Sequence, residues 1–143
     1  MIEWLLFDIP AACMAEAAQR NAIPVEVLYA IRHQERGQLG FKHVHEFRDG
    51  RVSVDYGPFQ INSHWASHFQ RRYGLLPERL ATEPCIGAAA AAYVLRYEVN
   101  RAGGDLWRAV GRYHSPTPAR SAPYAARVSA LALRYRQALA TGQ

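Results

Sequence analysis

The sequence predicts a mainly α-helical domain of five or six helices with one small β-hairpin. Three observations carry this. Apolar residues recur at helical spacing, as in Leu28, Ile31 and then Glu35, and again in Tyr124, Val128, Leu131 and Tyr135. The alanine run Ala88 to Ala92 has the best intrinsic helix propensity and lets neighbouring helices come close. Gln38 to Val54 lacks helical spacing, and Asp49-Gly50 within it is a hairpin signal. With 143 residues, half of them hydrophobic, the chain can bury one core, so residues 1–143 read as a single domain.

Trp4 to Gln19 reads as a lead-in segment and a first helix opened by Pro10, with Cys13, Met14 and Ala17 at helical spacing. Pro24 suits the first position of a second helix, and Gly37 suits its cap. On that helix Leu28, Ile31 and Glu35 share a face, while Arg32 and Arg36 point elsewhere. Glu46-Phe47-Arg48 and Arg51 to Val54 read as short strands around Asp49-Gly50. Gly57-Pro58 breaks the chain, and a helix is expected from Phe59 to Tyr73, ended by Gly74. A loop with one short turn at Pro77 to Leu80 follows. The alanine-rich helix spans Cys85 to Arg101 and stops at Gly103-Gly104. Asp105 caps a helix from Leu106 to Tyr113. After an extended His114 to Pro118 loop, Ser121 and Pro123 start the last helix.

The formal charge of +5 suits a polyanion: nucleic acid, anionic lipid or cell-wall polymer. The 17 basic residues are scattered without a block, which argues against nucleic acid. No apolar run approaches the about 20 residues of a membrane span. Ile2 to Pro10 carries Glu3 and Asp8 and is not a signal peptide, so export would require a leader that this sequence lacks. By count alone, Cys13 and Cys85 are either two buried thiols or one disulfide.

Glu35 is the main chemical candidate. A carboxyl that continues a buried apolar stripe has its pKa raised by desolvation, and a glutamic acid protonated near neutrality can donate to a glycosidic oxygen. A helix-terminal glutamate reaching water is the plain alternative. Asp49 and Asp55 are candidate second carboxylates, although Asp49 is explained by its turn. His64 and His68 stand at i, i+4, but without a His-Glu-x-x-His motif or a third ligand they read as a solvated helix face, and neither metal nor cofactor is expected. Tyr56, Phe59, Tyr113 and Tyr124 suit either the core or the apolar face of a sugar ring, Tyr113 best of all.

Taken in order, these residues resemble a known family. A glutamate closes an apolar helix. Then come Tyr56-Gly57-Pro58-Phe59-Gln60-Ile61-Asn62, the alanine-rich helix, Ala109 to Ser115, and Tyr124-Ala125-Ala126-Arg127-Val128. The pattern is similar to the lytic transglycosylases of the soluble-lytic-transglycosylase, lysozyme-like family. It is most like the small members that accompany conjugation, type IV pilus and type III or IV secretion machines. The likeness covers about Cys13 to Val128. Each motif is weak alone, and three in the right order and spacing are strong.

The resemblance implies a lysozyme-like α+β fold with the hairpin beside an active-site cleft. It implies Glu35 as the catalytic acid, Gly57 to Gln60 in place of a Gly-Leu-Met-Gln block, and Tyr113 in place of the tyrosine of an Ala-Tyr-Asn motif. On that basis Gln60, Phe59, Tyr113, His114, Tyr56 and Tyr124 are the expected substrate contacts. Arg36 stands where the family has serine, Pro58-Phe59 where it has Leu-Met, and His114 where it has asparagine. The resemblance also implies a Cys13–Cys85 disulfide, since small members carry cysteines in the first helix and just after a Thr-x-Pro turn, as in Thr82-Glu83-Pro84-Cys85.

The implied activity is cleavage of the β-1,4 bond between N-acetylmuramic acid and N-acetylglucosamine in peptidoglycan, giving 1,6-anhydro products. It implies a periplasmic monomer that opens the wall for a secretion, conjugation or pilus apparatus. Three alternatives are a hydrolysing muramidase using Asp49 or Asp55, a wall-binding assembly module without turnover, and a basic nucleic-acid binder.

Overall fold

The computed structural model describes residues 8–142; Met1, Trp4 and most of the lead-in segment lie outside the described residues. The chain is mainly α, with a small three-stranded antiparallel sheet. Helix α1 (Ala11–Arg20) follows Pro10 and buries Met14, Ala17 and Ala18. It packs on α5 (Pro84–Arg101), the central helix, whose small side chains allow that close approach. The Cys13–Cys85 disulfide joins the two helices, with Cα atoms 5.2 Å apart.

Helix α2 (Val25–Glu35) starts one residue after Pro24 and buries every residue from Val27 to Arg32. Such a helix has no single apolar stripe, which is why Arg32 does not point away from the protein as its spacing predicts. It is only 5% exposed, and its guanidinium pairs with the Asp8 carboxylate and reaches the Pro58 carbonyl at 3.5 Å. The cap also differs from expectation. Arg36, not Gly37, takes the left-handed conformation that ends α2, at φ 58°.

The hairpin lies further from Asp49-Gly50 than predicted. Strand β1 (Lys42–Glu46) pairs with β2 (Val52–Tyr56), with Val44 opposite Val54, and the turn takes up Phe47 to Arg51. Asp49 anchors that turn by accepting from the Arg51 N–H at 3.0 Å. A short β3 (Ile61–Asn62), absent from the sequence reading, pairs with the end of β2. Helix α3 (Ser63–Tyr73) therefore starts four residues later than expected. Gly57 and Gln60 are both left-handed, which keeps this stretch a turn, and the Asn62 side chain caps α3 by accepting from the Trp65 N–H.

The short turn after Pro77 is a four-residue helix, α4 (Arg79–Thr82), one reason for seven helices among the described residues instead of five or six. Helix α6 (Leu106–His114) is capped by Asp105 as expected. Helix α7 (Pro118–Ala140) begins before Ser121, because Pro118 takes its first position and Pro123 is accommodated inside the helix. It lies across α2 and α6, burying Tyr124, Val128, Ala132 and Tyr135. The core is thus built on α5, and the end of α2, the 57–60 turn and α7 meet beside the sheet.

Candidate functional site

Glu35 is the last residue of α2, and its carboxyl is set into the protein by the buried Leu28 and Ile31 on the same face. Burial raises its pKa to about 7, and the Asp55 charge adds to the shift. The Tyr124 hydroxyl donates to Oε2 of Glu35 at 2.5 Å and partly opposes the rise, since that bond favours the ionised form. Glu35 therefore exchanges its proton near neutral pH, where a carboxyl can either give or take one.

Close backbone contacts pack the residues after α2 against the 57–60 turn. Gly37 sits so close to the 57–60 turn that a Cβ there would lie 1.9 Å from the Gly57 carbonyl oxygen. Gly57 has φ 67°, and a Cβ on it would lie 2.7 Å from both the Ala81 Cα and the Leu80 carbonyl oxygen. Both positions require glycine, for close approach and, at Gly57, for conformation as well. The Gln60 amide donates to the Gly57 carbonyl at 2.9 Å. A cleft of about 230 Å³ opens over this contact, lined by Glu35, Gln38, Phe41, Lys42, His43 and Gln60.

The six expected contact residues divide into two groups. Gln60 lines the cleft with Glu35. Tyr113 donates to the Phe59 carbonyl at 2.8 Å; burial together with the Glu35 and Asp55 charges lifts its pKa well above the usual value, so it stays a donor. His114 is exposed at the end of α6, where its ring stacks on Tyr124 with centroids 4.7 Å apart. Burial and the Arg127 and Arg120 charges lower its pKa, so it is neutral near pH 7. The rings of Phe59, Tyr56 and Tyr124 are 1%, 8% and 2% exposed and form no open sugar platform. This corrects the reading of those side chains as direct contacts. Phe59 packs towards Gly87, Tyr56 faces the core from β2, and Tyr124 holds the acid. The Tyr124, Val128 and Tyr135 periodicity already carried that signal for Tyr124.

Asp49 and Asp55 are now distinguishable. Asp49 is spent on its turn, bonding the Arg51 N–H and guanidinium. Asp55 accepts from or pairs with His45 Nε2 at 2.8 Å, and its charge acts on Glu35, Tyr113 and His114. His68 meets the Tyr93 hydroxyl at 3.3 Å and His64 lies edge-on to Trp65. Among the described residues, no three His, Cys, Asp or Glu side chains converge as a metal site would need.

A family model described as the transglycosylase SLT domain matches residues 12–121. The chain belongs to the SLT family. The matched stretch holds Glu35, the 57–60 turn, Tyr113, His114 and both disulfide cysteines, and ends before Tyr124. Among curated proteins, this SLT chain is similar to the invasion protein IagB of Salmonella typhimurium strain SL1344, 36% identical over 114 residues, covering 78% of this chain and 67% of the relative. It has the same identity and coverage with the invasion protein IagB of Salmonella typhi. It is also similar to the X polypeptide of Escherichia coli, 30% identical over 111 residues, covering 73% of this chain and 59% of that protein.

Proposed function

We propose that this SLT domain is a peptidoglycan lytic transglycosylase with Glu35 as its acid and base. The observation that carries the reading is the Glu35 carboxyl itself: sunk at a helix end, open to a cleft, and shifted to about 7. Protonated Glu35 donates to the glycosidic oxygen of the β-1,4 bond between N-acetylmuramic acid and N-acetylglucosamine. The acetamido group of the substrate stabilises the oxocarbenium centre, a substrate-assisted route that needs no second carboxylate. Ionised Glu35 then takes the proton of the muramic C6 hydroxyl, whose oxygen closes the 1,6-anhydro ring. No water is consumed and Glu35 ends protonated. Tyr124 steadies the ionised stage by its hydrogen bond, while Gln60, Tyr113 and His114 border the glycan.

Membership of the SLT family supports peptidoglycan as the substrate and the periplasm as the location. No helix among the described residues is long and apolar enough to cross a membrane. The name of one relative, an invasion protein, supports assigning the domain to a secretion, conjugation or pilus apparatus for which it opens the wall locally, acting as a monomer without cofactor.

A hydrolysing muramidase is the second reading, favoured by Asp55, whose charge acts on Glu35. Digestion of purified sacculi followed by mass spectrometry separates the two. Transglycosylation gives anhydro products lighter by one water; Glu35→Gln lowers release by at least about 10²-fold, and Asp55→Asn retains most of it. Loss of release in folded Asp55→Asn, with water-added products from the wild type, replaces the lyase by the hydrolase. Sacculus binding without release leaves only a wall-binding module.

A further inference from the structure

We propose that a second groove, between α3 and α5, binds the carboxylate-bearing peptide branch of the glycan strand. The inference rests on the peptidoglycan reading above and adds the part of the substrate that is not sugar. The groove holds about 430 Å³ and is closed at one end by Arg112 of α6 and by Pro116 in the loop after it.

Its walls combine two chemistries. Aromatic side chains hold the helices apart: Trp65 of α3 lies edge-on to Tyr93 and Tyr97 of α5, at 6.0 and 5.0 Å between centroids. Trp65 is half-buried and Tyr97 is 43% exposed, which leaves apolar surface facing the groove. The charge is lopsided. Glu98 is the carboxylate in the lining; it is 7% exposed and held by the Arg112 guanidinium at 3.0 Å. Arg71 and Arg101 are exposed on opposite walls, and neither meets a carboxylate among the described residues. Arg101 lies over the Tyr97 ring, 5.7 Å from its centroid, which orients the guanidinium without neutralising it.

Two exposed cations beside an aromatic floor fit a short chain with an apolar body and terminal carboxylates. A neutral chitin-like strand gains nothing from them. A nucleic acid would need a longer track of phosphate contacts than two guanidinium groups provide. A strand seated at Glu35 carries its peptide branches on muramic acid, and those branches supply the carboxylates that the uncompensated guanidinium groups of this lining would pair with.

The test uses Glu35→Gln protein, bound to intact sacculi anchored on a solid support through their glycan and to sacculi anchored in the same way and then stripped of peptide by an amidase. Glu35→Gln is expected to bind intact sacculi about tenfold more tightly, the gain that two partly exposed charge pairs supply. Adding Arg71→Gln and Arg101→Gln, both at exposed sites and checked for folding by thermal melting, brings the two affinities within about twofold. Equal binding of both sacculi by Glu35→Gln overturns the proposal, as does a preference that survives the arginine changes. A short DNA duplex that binds in an arginine-dependent way, with no preference between the sacculi, replaces the peptide by nucleic acid. None of these readouts needs turnover. Anhydro release by wild type with equal binding refutes only the groove, whereas a peptide preference without any release refutes only the enzyme.

Discussion

Replacing Glu35 by Gln keeps the shape of the side chain and removes its titration. Folding raises the Glu35 pKa from 4.5 to about 7, a shift of roughly 2.5 units. At about 1.4 kcal/mol per unit, this amounts to on the order of 3 kcal/mol. The native state binds the extra proton between these values, so stability falls as pH rises from about 4.5 to about 7 and is level in this respect above that. Glutamine has no such cost, and its carbonyl can still accept from Tyr124. At pH 5 the variant should match the wild type within about 1 kcal/mol. At pH 8 it should be more stable by about 2–3 kcal/mol. With a urea m-value of about 1–3 kcal/mol/M, the midpoint should move up by about 1–2 M at pH 8. Urea unfolding at pH 5, 6, 7 and 8 gives the difference curve, from which other titrating groups cancel. A flat difference, or greater wild-type stability at pH 8, would mean that the carboxyl is solvated and the buried-acid reasoning is wrong.

Tyr124→Phe removes the donor that holds the Glu35 pKa down, so the fall in muropeptide release on the alkaline side should move to higher pH, read from a rate profile between about pH 6 and 9. The same change should cost about 1–3 kcal/mol at pH 8, where the lost bond is to a charged group. Gly37→Ala puts a methyl 1.9 Å from the Gly57 carbonyl oxygen and should cost more than about 3 kcal/mol or prevent folding, seen as a lowered or absent thermal transition. Cys13→Ser with Cys85→Ser opens a cross-link spanning 72 positions. It should cost about 4 kcal/mol by loop closure, measured in denaturant without reductant.

The sequence revealed most where a short-range rule decides the structure. Leu28, Ile31 and Glu35 share a face because helical spacing leaves no choice, and Asp105 caps α6 through a bond within its own turn. It revealed less where distant segments decide. Gly37 looks like a cap, yet its role comes from the Gly57 carbonyl twenty residues away. Arg32 reads as a surface cation because nothing local announces Asp8 and Pro58 as its partners. The family resemblance puts Tyr124 among the sugar contacts, while its place on the buried stripe of α7 makes it a hydrogen-bond donor to Glu35. The sequence places the start of α3 too early because glutamine, left-handed here at Gln60, is not a residue that announces a turn. Asn62 before Ser63 was the readable signal there.

The contact between Gly37 and the 57–60 turn leaves no space for a side chain, and this separates the parts of the domain that can diverge from those that cannot. Any attempt to retarget the domain to a different wall polymer would have to leave that backbone seam untouched. The positions open to change are the exposed ones lining the cleft beside it: Gln38 and Phe41 before the hairpin, and Lys42 and His43 at the start of β1. A library randomised at those four positions should keep its folded members, while one randomised at Gly37 or Gly57 should lose nearly all of them before selectivity is ever tested.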